Sequence, residues 1–383
     1  MRSAAIKGDW TEATLGELAT WSSGKNLSAN KRDGAGAHPI LGANGIIGRT
    51  NEVLLDCDLI TVGRVGACGE THQSAGPVWV SDNALIAIPN SRVVIDYLYH
   101  VLSVFDYKTI TSGTTQPLIT QNKLKNQVVQ LPPLAEQKRI VDVIGAVDAY
   151  IAGLQQQAVN AWTARNAVLQ ELLSAGGQDW SETTLGEITN INPEDTARIR
   201  PHEEITYIDL SSVSSKGGVS DELFRGPYSG APGRARRIVR AQDVLVSTVR
   251  PYLKGFAVVP KHLDGSIAST GFSVLRAKTG YSLPGYIWAV VGTARFVEDL
   301  IDKATGSSYP AVRPSDIASH LVNLPPLAEQ QRIVETVTAM DDVVSSTEQA
   351  VRVTQELRSG LLSTLLSGEH EIPATYDCLL GAA

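Results

Sequence analysis

Seven basic residues crowd the stretch from 225 to 254: Arg225, Arg234, Arg236, Arg237, Arg240, Arg250 and Lys254, against one acid, Asp243. A guanidinium is a planar fork of donors that stays charged at any physiological pH, and it grips phosphates and base edges at two points. The chain as a whole carries −7, which argues against indiscriminate binding to nucleic acid. Charge is uneven, however: residues 324–383 hold three basic and nine acidic residues, whereas 179–323 hold sixteen of each. A local basic surface can therefore sit inside an acidic total.

Other residue types able to do chemistry fall into no working pattern. Cys57, Cys68 and Cys378 are too few and too irregular for a disulfide framework or a four-ligand zinc site, and are expected as buried thiols. The histidines at 38, 72, 100, 202, 262, 320 and 370 form no H-x-x-x-H or nucleophile arrangement. No P-loop is present, and "KRDGAGAHPILGANGIIGRT" from Lys31 contains no dinucleotide fingerprint of the kind that lies after a strand and before a helix. "INPEDT" from Ile191 lacks the second proline and the aromatic of an adenine methyltransferase tetrapeptide. No cofactor, no metal and no intrinsic enzymatic activity are expected. No apolar run reaches the roughly 18–20 residues that cross a bilayer, and "MRSAAIKGDW" has no apolar core of a signal peptide. The expected location is the cytoplasm, without membrane attachment.

The elements that must position the basic residues are written twice. "LPPLAEQKRIV" from Leu131 returns as "LPPLAEQQRIV" from Leu324, "SGTTQPLI" from Ser112 as "TGSSYPAV" from Thr305, and "LQELLSAG" from Leu169 as "LSTLLSGE" from Leu362, always 193 positions on. "DWTEATLGEL" from Asp9 returns as "DWSETTLGEI" from Asp179 after only 170. The second copy has therefore gained 23 residues (193 − 170) in between. "CDLITVGRVGACG" and "QDVLVSTVRPYLKG" look like cognate strand-then-loop segments, which puts Arg64 and Arg250 at equivalent strand ends. Short β-branched runs broken by Gly, Pro, Asn and Asp make both variable regions β-rich.

After each Pro-Pro, apolar residues recur at alternating spacings of four and three: Ile140, Ile144, Val147, Ile151, Leu154, Ala158, Ala161, Val168 and Leu172, then Ile333, Val337, Met340, Val344, Thr347, Val351, Thr354, Leu361 and Leu365. This is a heptad seam, and it implies long paired helices. Chain order favours an antiparallel pair with a domain at each end. Each seam is broken once by a charge, Arg165 and Arg358. Placing the pseudo-axis at Leu154 and Thr347 brings Arg165 beside Glu335 and Arg358 beside Asp142; the alternative is that both arginines snorkel to water.

The duplicated "LPPLAEQ-x-RIV" with its heptads, the "W-x-x-x-x-LGEL" openings, "DVLVSTVRP", and the "SGTTQP" and "TGSSYP" elements resemble, over nearly the whole chain, the specificity subunit of a Type I restriction–modification enzyme. The resemblance implies an α+β fold: two β-rich target-recognition domains separated by two long antiparallel coiled-coil helices, with a pseudo-two-fold internal repeat. The boundaries read are 1–130 and 177–323 for the recognition domains, 131–176 and 324–370 for the helical spacers, and 371–383 for a tail. It further implies that each recognition domain reads one half of an asymmetric bipartite site in double-stranded DNA. The implied protein partners are methyltransferase subunits, two in number, and restriction/translocase subunits. For base and phosphate contact the candidates are Lys31, Arg32, Asn44, Arg49 and Arg64 in the first domain, and Arg234, Arg236, Arg237, Arg250, Tyr252 and Lys254 in the second. Arginine pairs with guanine and asparagine with adenine in the major groove, while lysine mostly anchors phosphate. The "TTQP" and "SSYP" elements are read as turns into the helices, with backbone contact as the alternative. A coiled-coil adaptor that does not bind DNA is the rival reading.

Overall fold

The structure, a computed structural model, describes residues 9–113, 117–215 and 217–377. The chain divides into two compact units, Met1–Gln155 with Gln349–Ala383, and Gln156–Glu348. Both divisions fall inside long helices, Leu134–Ser174 and Leu327–Leu366. Each unit thus owns one half of each helix and one β-rich body, and the class is α+β.

The first body opens and closes on one antiparallel ribbon, Thr11–Thr14 with Val128–Leu131. Its main sheet runs in the order Ala19–Ser23, Ala84–Pro89, Leu59–Gly63, Thr71–Ser74, and a smaller one in the order Gly45–Thr50, His38–Gly42, Trp79–Val80. The second body repeats the plan. Its ribbon is Ser181–Thr184 with Leu321–Leu324, and its main sheet runs Thr189–Ile191, Phe272–Ala277, Val244–Ser247, Phe256–Val258. Its smaller sheet, Phe224–Pro227, Glu204–Ile208, Ile267–Ser269, has an added edge strand, Ala235–Ile238. Both central strands are buried along their whole length, as expected of apolar runs covered on two faces.

Strand pairing locates most of the extra length. Leu41 faces Val80 as Ile208 faces Ala268, and Ile60 faces Ala87 as Val244 faces Leu275. The separation between these strands is 19 residues (60 − 41) in the first unit and 36 (244 − 208) in the second. Arg225, Arg234, Arg236 and Arg237 all lie in that longer stretch, which builds the added strand.

The repeated motifs are the joints between body and helix. Trp10 donates its indole N–H to Glu136 at 2.8 Å, and Trp180 donates to Glu329 at 2.9 Å. Gln137, almost fully buried, accepts from the Val94 N–H at 2.8 Å and donates to the carbonyls of Pro132 and Arg92. Gln330 repeats this with the Leu283 N–H and the carbonyls of Pro325 and Tyr281. A primary amide is needed at this position, since it must both accept and donate. The "TLGE" of each opening is a capping box, Thr14 with Glu17 and Thr184 with Glu187, which starts a one-turn helix after the ribbon strand.

In each unit the helix halves run antiparallel. Ile140 and Ile144 share a core with Leu362 and Leu365 in the first, and Leu169 shares one with Ile333 and Val337 in the second. The heptad positions are turned from water, fully at Ile140, Ile144, Ile151, Ile333, Val337, Val344 and Leu365 and only partly at the others. The charged breaks in the seam are paired, with a register different from the one expected. Arg165 meets Asp341, with Nε to Oδ1 at 2.8 Å and Nη2 to Oδ2 at 3.2 Å, rather than Glu335, which accepts from Gln331 of its own helix. Arg358 meets Asp148, with Nη2 to Oδ2 at 2.7 Å, rather than Asp142. Asp341 lies six residues beyond Glu335 (341 − 335), the residue expected from an axis at Leu154 and Thr347. That axis came from the helices alone, whereas the register is set by how each helix docks on its β-rich body. The two ion pairs are copies of one another, because 358 − 165 and 341 − 148 are both 193.

The segment read as a tail begins by packing on the first unit: Ile372 is buried in its core and Asp377 lies 3.8 Å from Arg139. Cys378 and the positions after it lie outside the described residues. Among the described residues, no helix is long and apolar enough to cross a membrane.

Candidate nucleic-acid interface

In the first unit the structure gathers Lys31, Arg32 and Arg49 at the Gly45–Thr50 edge of the small sheet. Lys31 is ion-paired with Glu52 at 3.1 Å, and the exposed Arg32 pairs through its backbone with Thr50. Arg49 spends its fork on its own loop, donating to the carbonyls of Gly36 at 2.6 Å and Ala37 at 2.7 Å, so it holds the loop shape. Asn44 stands exposed in the turn joining His38–Gly42 to Gly45–Thr50, beside Ile46 at 65% and Ile47 at 49% exposure. Arg64 is elsewhere, at the end of the main sheet, where it is half-buried and donates to Ser23 Oγ at 3.3 Å.

In the second unit Arg234, Arg236 and Arg237 belong to the added strand and its approach. Arg234 and Arg236 are exposed, with Arg236 Nε donating to Gly233 at 3.2 Å, while Arg237 is half-buried. Arg250, Tyr252 and Lys254 form one turn around the short 3-10 helix Pro251–Leu253, with Arg250 at φ +48° and Lys254 at φ +51°. The Arg250 guanidinium lies 4.4 Å from the ring centre of Tyr309, and its Nη2 donates to the Ser308 carbonyl at 3.3 Å. The sequence places Tyr309 only in the turn expected of "SSYP". It is 70% exposed, and the serine-tyrosine-proline run was the signal for it.

The pairing of strands corrects the equivalence of Arg64 and Arg250. Gly63 faces Ala84 as Ser247 faces Phe272, and Val65 bridges Leu118 as Val249 bridges Ala311. Arg64 therefore corresponds to Thr248, and Arg250 to Gly66. Likeness of residue type aligns the two arginines in the sequence, whereas hydrogen-bond register places them two residues apart. The "TGSSYP" element is likewise not the entry to the long helix. Thr305 and Ala311 close it as a loop, and the short helix Pro314–Ala318 and the strand Leu321–Leu324 follow before the long helix. Ser112 and Leu118 close the first copy in the same way; Thr114, Thr115 and Gln116 lie outside the described residues.

The fold also brings in an acid that the local count missed. Glu194 accepts from Arg240 at 2.6 Å and from Arg276, which pairs with Asp243 at 2.8 Å. The Arg240 hydrogen bond, with Arg276 adding to it, holds the Glu194 carboxyl down to about 2 despite partial burial. Arg240 is therefore neutralised. Among the described residues of 225–254, the positive charge without an ion pair is that of Arg225 on Phe224–Pro227, of the added strand and its approach, and of the Arg250–Lys254 turn.

A family model described as the Type I restriction modification DNA specificity domain matches residues 7–160. The putative type I restriction enzyme MjaX specificity subunit of Methanocaldococcus jannaschii is 23% identical over 315 residues, covering 75% of this chain and 71% of its own length. The MjaVIII specificity subunit of the same organism is 19% identical over 414 residues, covering 96% and 95%. The HindI specificity subunit of Haemophilus influenzae is 22% identical over 188 residues, 49% of this chain, and there the match spans only 40% of the relative. Among solved structures, the Type I system S subunit from M. genitalium aligns with a TM-score of 0.56 at 15% identity, covering 96% of this chain and 98% of its own. A chain from a structural study of type I R-M complex assembly and conformational transition aligns with a TM-score of 0.63 at 16% identity, covering 95% and 99%. At these identities the structural likeness is one of fold.

Proposed function

We propose that the chain is a specificity subunit of a Type I restriction–modification enzyme and that it reads an asymmetric bipartite site in double-stranded DNA, one β-rich body per half-site. The observation that carries this reading is one body built twice, joined to its helix by the same Trp–Glu and glutamine contacts, with different side chains at matching surface positions. A shared scaffold with unlike surfaces suits two unlike half-sequences. The body boundaries proposed are 1–130 and 177–323, with the helices setting the spacing between half-sites. Lys31, Arg32, Asn44 and Arg64 are the proposed contacts of the first body, with Arg49 shaping the loop. Arg234, Arg236, Arg237, Arg250, Tyr252 and Lys254 are those of the second.

The chain performs no chemistry of its own in this reading; it acts in the cytoplasm by recruiting two methyltransferase subunits and the restriction/translocase subunits. The acidity of residues 324–383, three basic against nine acidic, fits an affinity for DNA that is completed by a partner. Mapping modified bases in cells that express the chain with its methyltransferase subunits tests the proposal. A two-part motif with an unspecified spacer is expected. A continuous motif would overturn the bipartite reading, and no motif would favour the adaptor.

A further inference from the structure

We infer that Arg250 is a base-reading residue of the second body, held ready by Tyr309 to grip the major-groove edge of a guanine; this rests on the DNA-reading function proposed above. The backbone gives the first reason. Both bodies need a left-handed residue where the chain leaves the central strand, and the first supplies Gly66 at φ +78°. A Cβ at Gly66 would meet nothing within 4 Å, so that glycine answers to the backbone angle and not to crowding. The second body places Arg250 there at φ +48°, a conformation that disfavours any side chain. A large side chain kept where glycine is easier points to what that side chain does.

The side chain gives the second reason. An arginine serving the fold has its donors satisfied. Arg250 shares a buried Nε without a hydrogen-bond partner with Arg64, Arg139 and Arg237 among the described residues, and its one side-chain hydrogen bond is a long one, from Nη2 to Ser308. Its Cζ lies over the Tyr309 ring, 4.4 Å from the ring centre. Held on the ring face, the guanidinium has less rotamer freedom to lose on binding, while its terminal Nη groups remain to donate. Tyr252 at 50%, Leu253 at 55% and Tyr309 at 70% exposure surround it, with the exposed Lys254 alongside. A cation fixed on an aromatic face amid exposed apolar surface suits a base edge better than a phosphate, which a free lysine holds as well. Because Gly66 occupies the matching place, the first body lacks this reader, and the guanine belongs to one half-site only. Tyr309 is a positioning residue in this scheme.

The test is methylation of a randomised duplex library by the full chain assembled with its methyltransferase subunits, with sequencing of the modified products. Arg250→Gly relieves the backbone, so its melting temperature should equal or exceed that of the wild type, while guanine preference at one position of one half-site drops about five- to a hundredfold. Tyr309→Ala should weaken that same preference, and Tyr309→Phe should restore it, because the ring and not the hydroxyl is required. Uniform weakening across all sequences in Arg250→Gly would mark a phosphate contact and overturn the inference. An unchanged motif would overturn it equally, with the DNA-reading function left standing. A wild type that selects no sequence at all would remove that function, and the inference with it.

Discussion

The Arg165 side chain keeps 6% of its surface in water and its partner Asp341 keeps 38%, whereas Arg358 and Asp148 keep 24% and 46%. Taking away the carboxylate leaves a cation in the seam with nothing to compensate it, so cost should follow burial. Asp341→Ala is expected to lose about 2–3 kcal/mol and Asp148→Ala about 1 kcal/mol, read from urea unfolding midpoints. Equal losses would show that the seam does not discriminate between the pairs. Three further groups set the response to acid. Burial pushes His100 and His320 below their ordinary value of 6.5, so the unfolded chain binds more protons and their stabilising effect, complete above about pH 6.5, fades as pH falls. Glu194 is held at about 2 against an ordinary 4.5, so its share is complete above about pH 4.5 and is lost as pH falls toward 2. Glu194→Gln should flatten the melting temperature between these lower limits and leave the decline below pH 6.5 intact.

Among the secondary-structure elements, the two long helices carry most of the design. Their entry is fixed by Gln137 and Gln330, each tied to three backbone groups. Gln137→Ala strands a buried N–H and two carbonyls, and should cost about 2–4 kcal/mol. Gln137→Glu should recover little of this, since a carboxylate cannot donate; full recovery by Glu in chemical denaturation would contradict the amide assignment. Length is the second property of these helices. Removing seven residues after Leu154 and seven after Thr347 deletes one heptad from each seam and leaves all four members of the ion pairs in place. At 1.5 Å per residue this takes out roughly 10 Å. The methylated motif should keep both half-sequences and shorten only its spacer.

For the molecule as a whole, the internal repeat predicts modular reading. Replacing residues 9–130 with the corresponding body of a relative should change one half-site and leave the other as it was. The boundaries suit such an exchange, because Thr11–Thr14 and Val128–Leu131 pair with each other, so the body is cut where its chain enters and leaves side by side. Alteration of both halves of the motif would mean that the bodies do not read independently.

What the sequence determined alone is whatever is periodic or repeated along the chain: the duplication, the two helices with their seams, the β-rich class of the bodies, and the presence of one charged break in each seam. These follow from local pattern, since heptads and apolar runs describe their own environment. Partner choice does not. Arg165 finds Asp341 rather than Glu335 because the helices slide into register only when each docks on its body through Glu136, Gln137, Glu329 and Gln330. Arg250 matches Gly66 rather than Arg64 because hydrogen-bond ladders, blind to side-chain type, decide which residues correspond. Glu194 neutralises Arg240 from 46 positions away, and Tyr309 comes under Arg250 from 59 away (309 − 250). Such contacts between distant parts of the chain appear only once the sheets have closed, because proximity in a β-rich body is set by strand order and not by distance along the sequence.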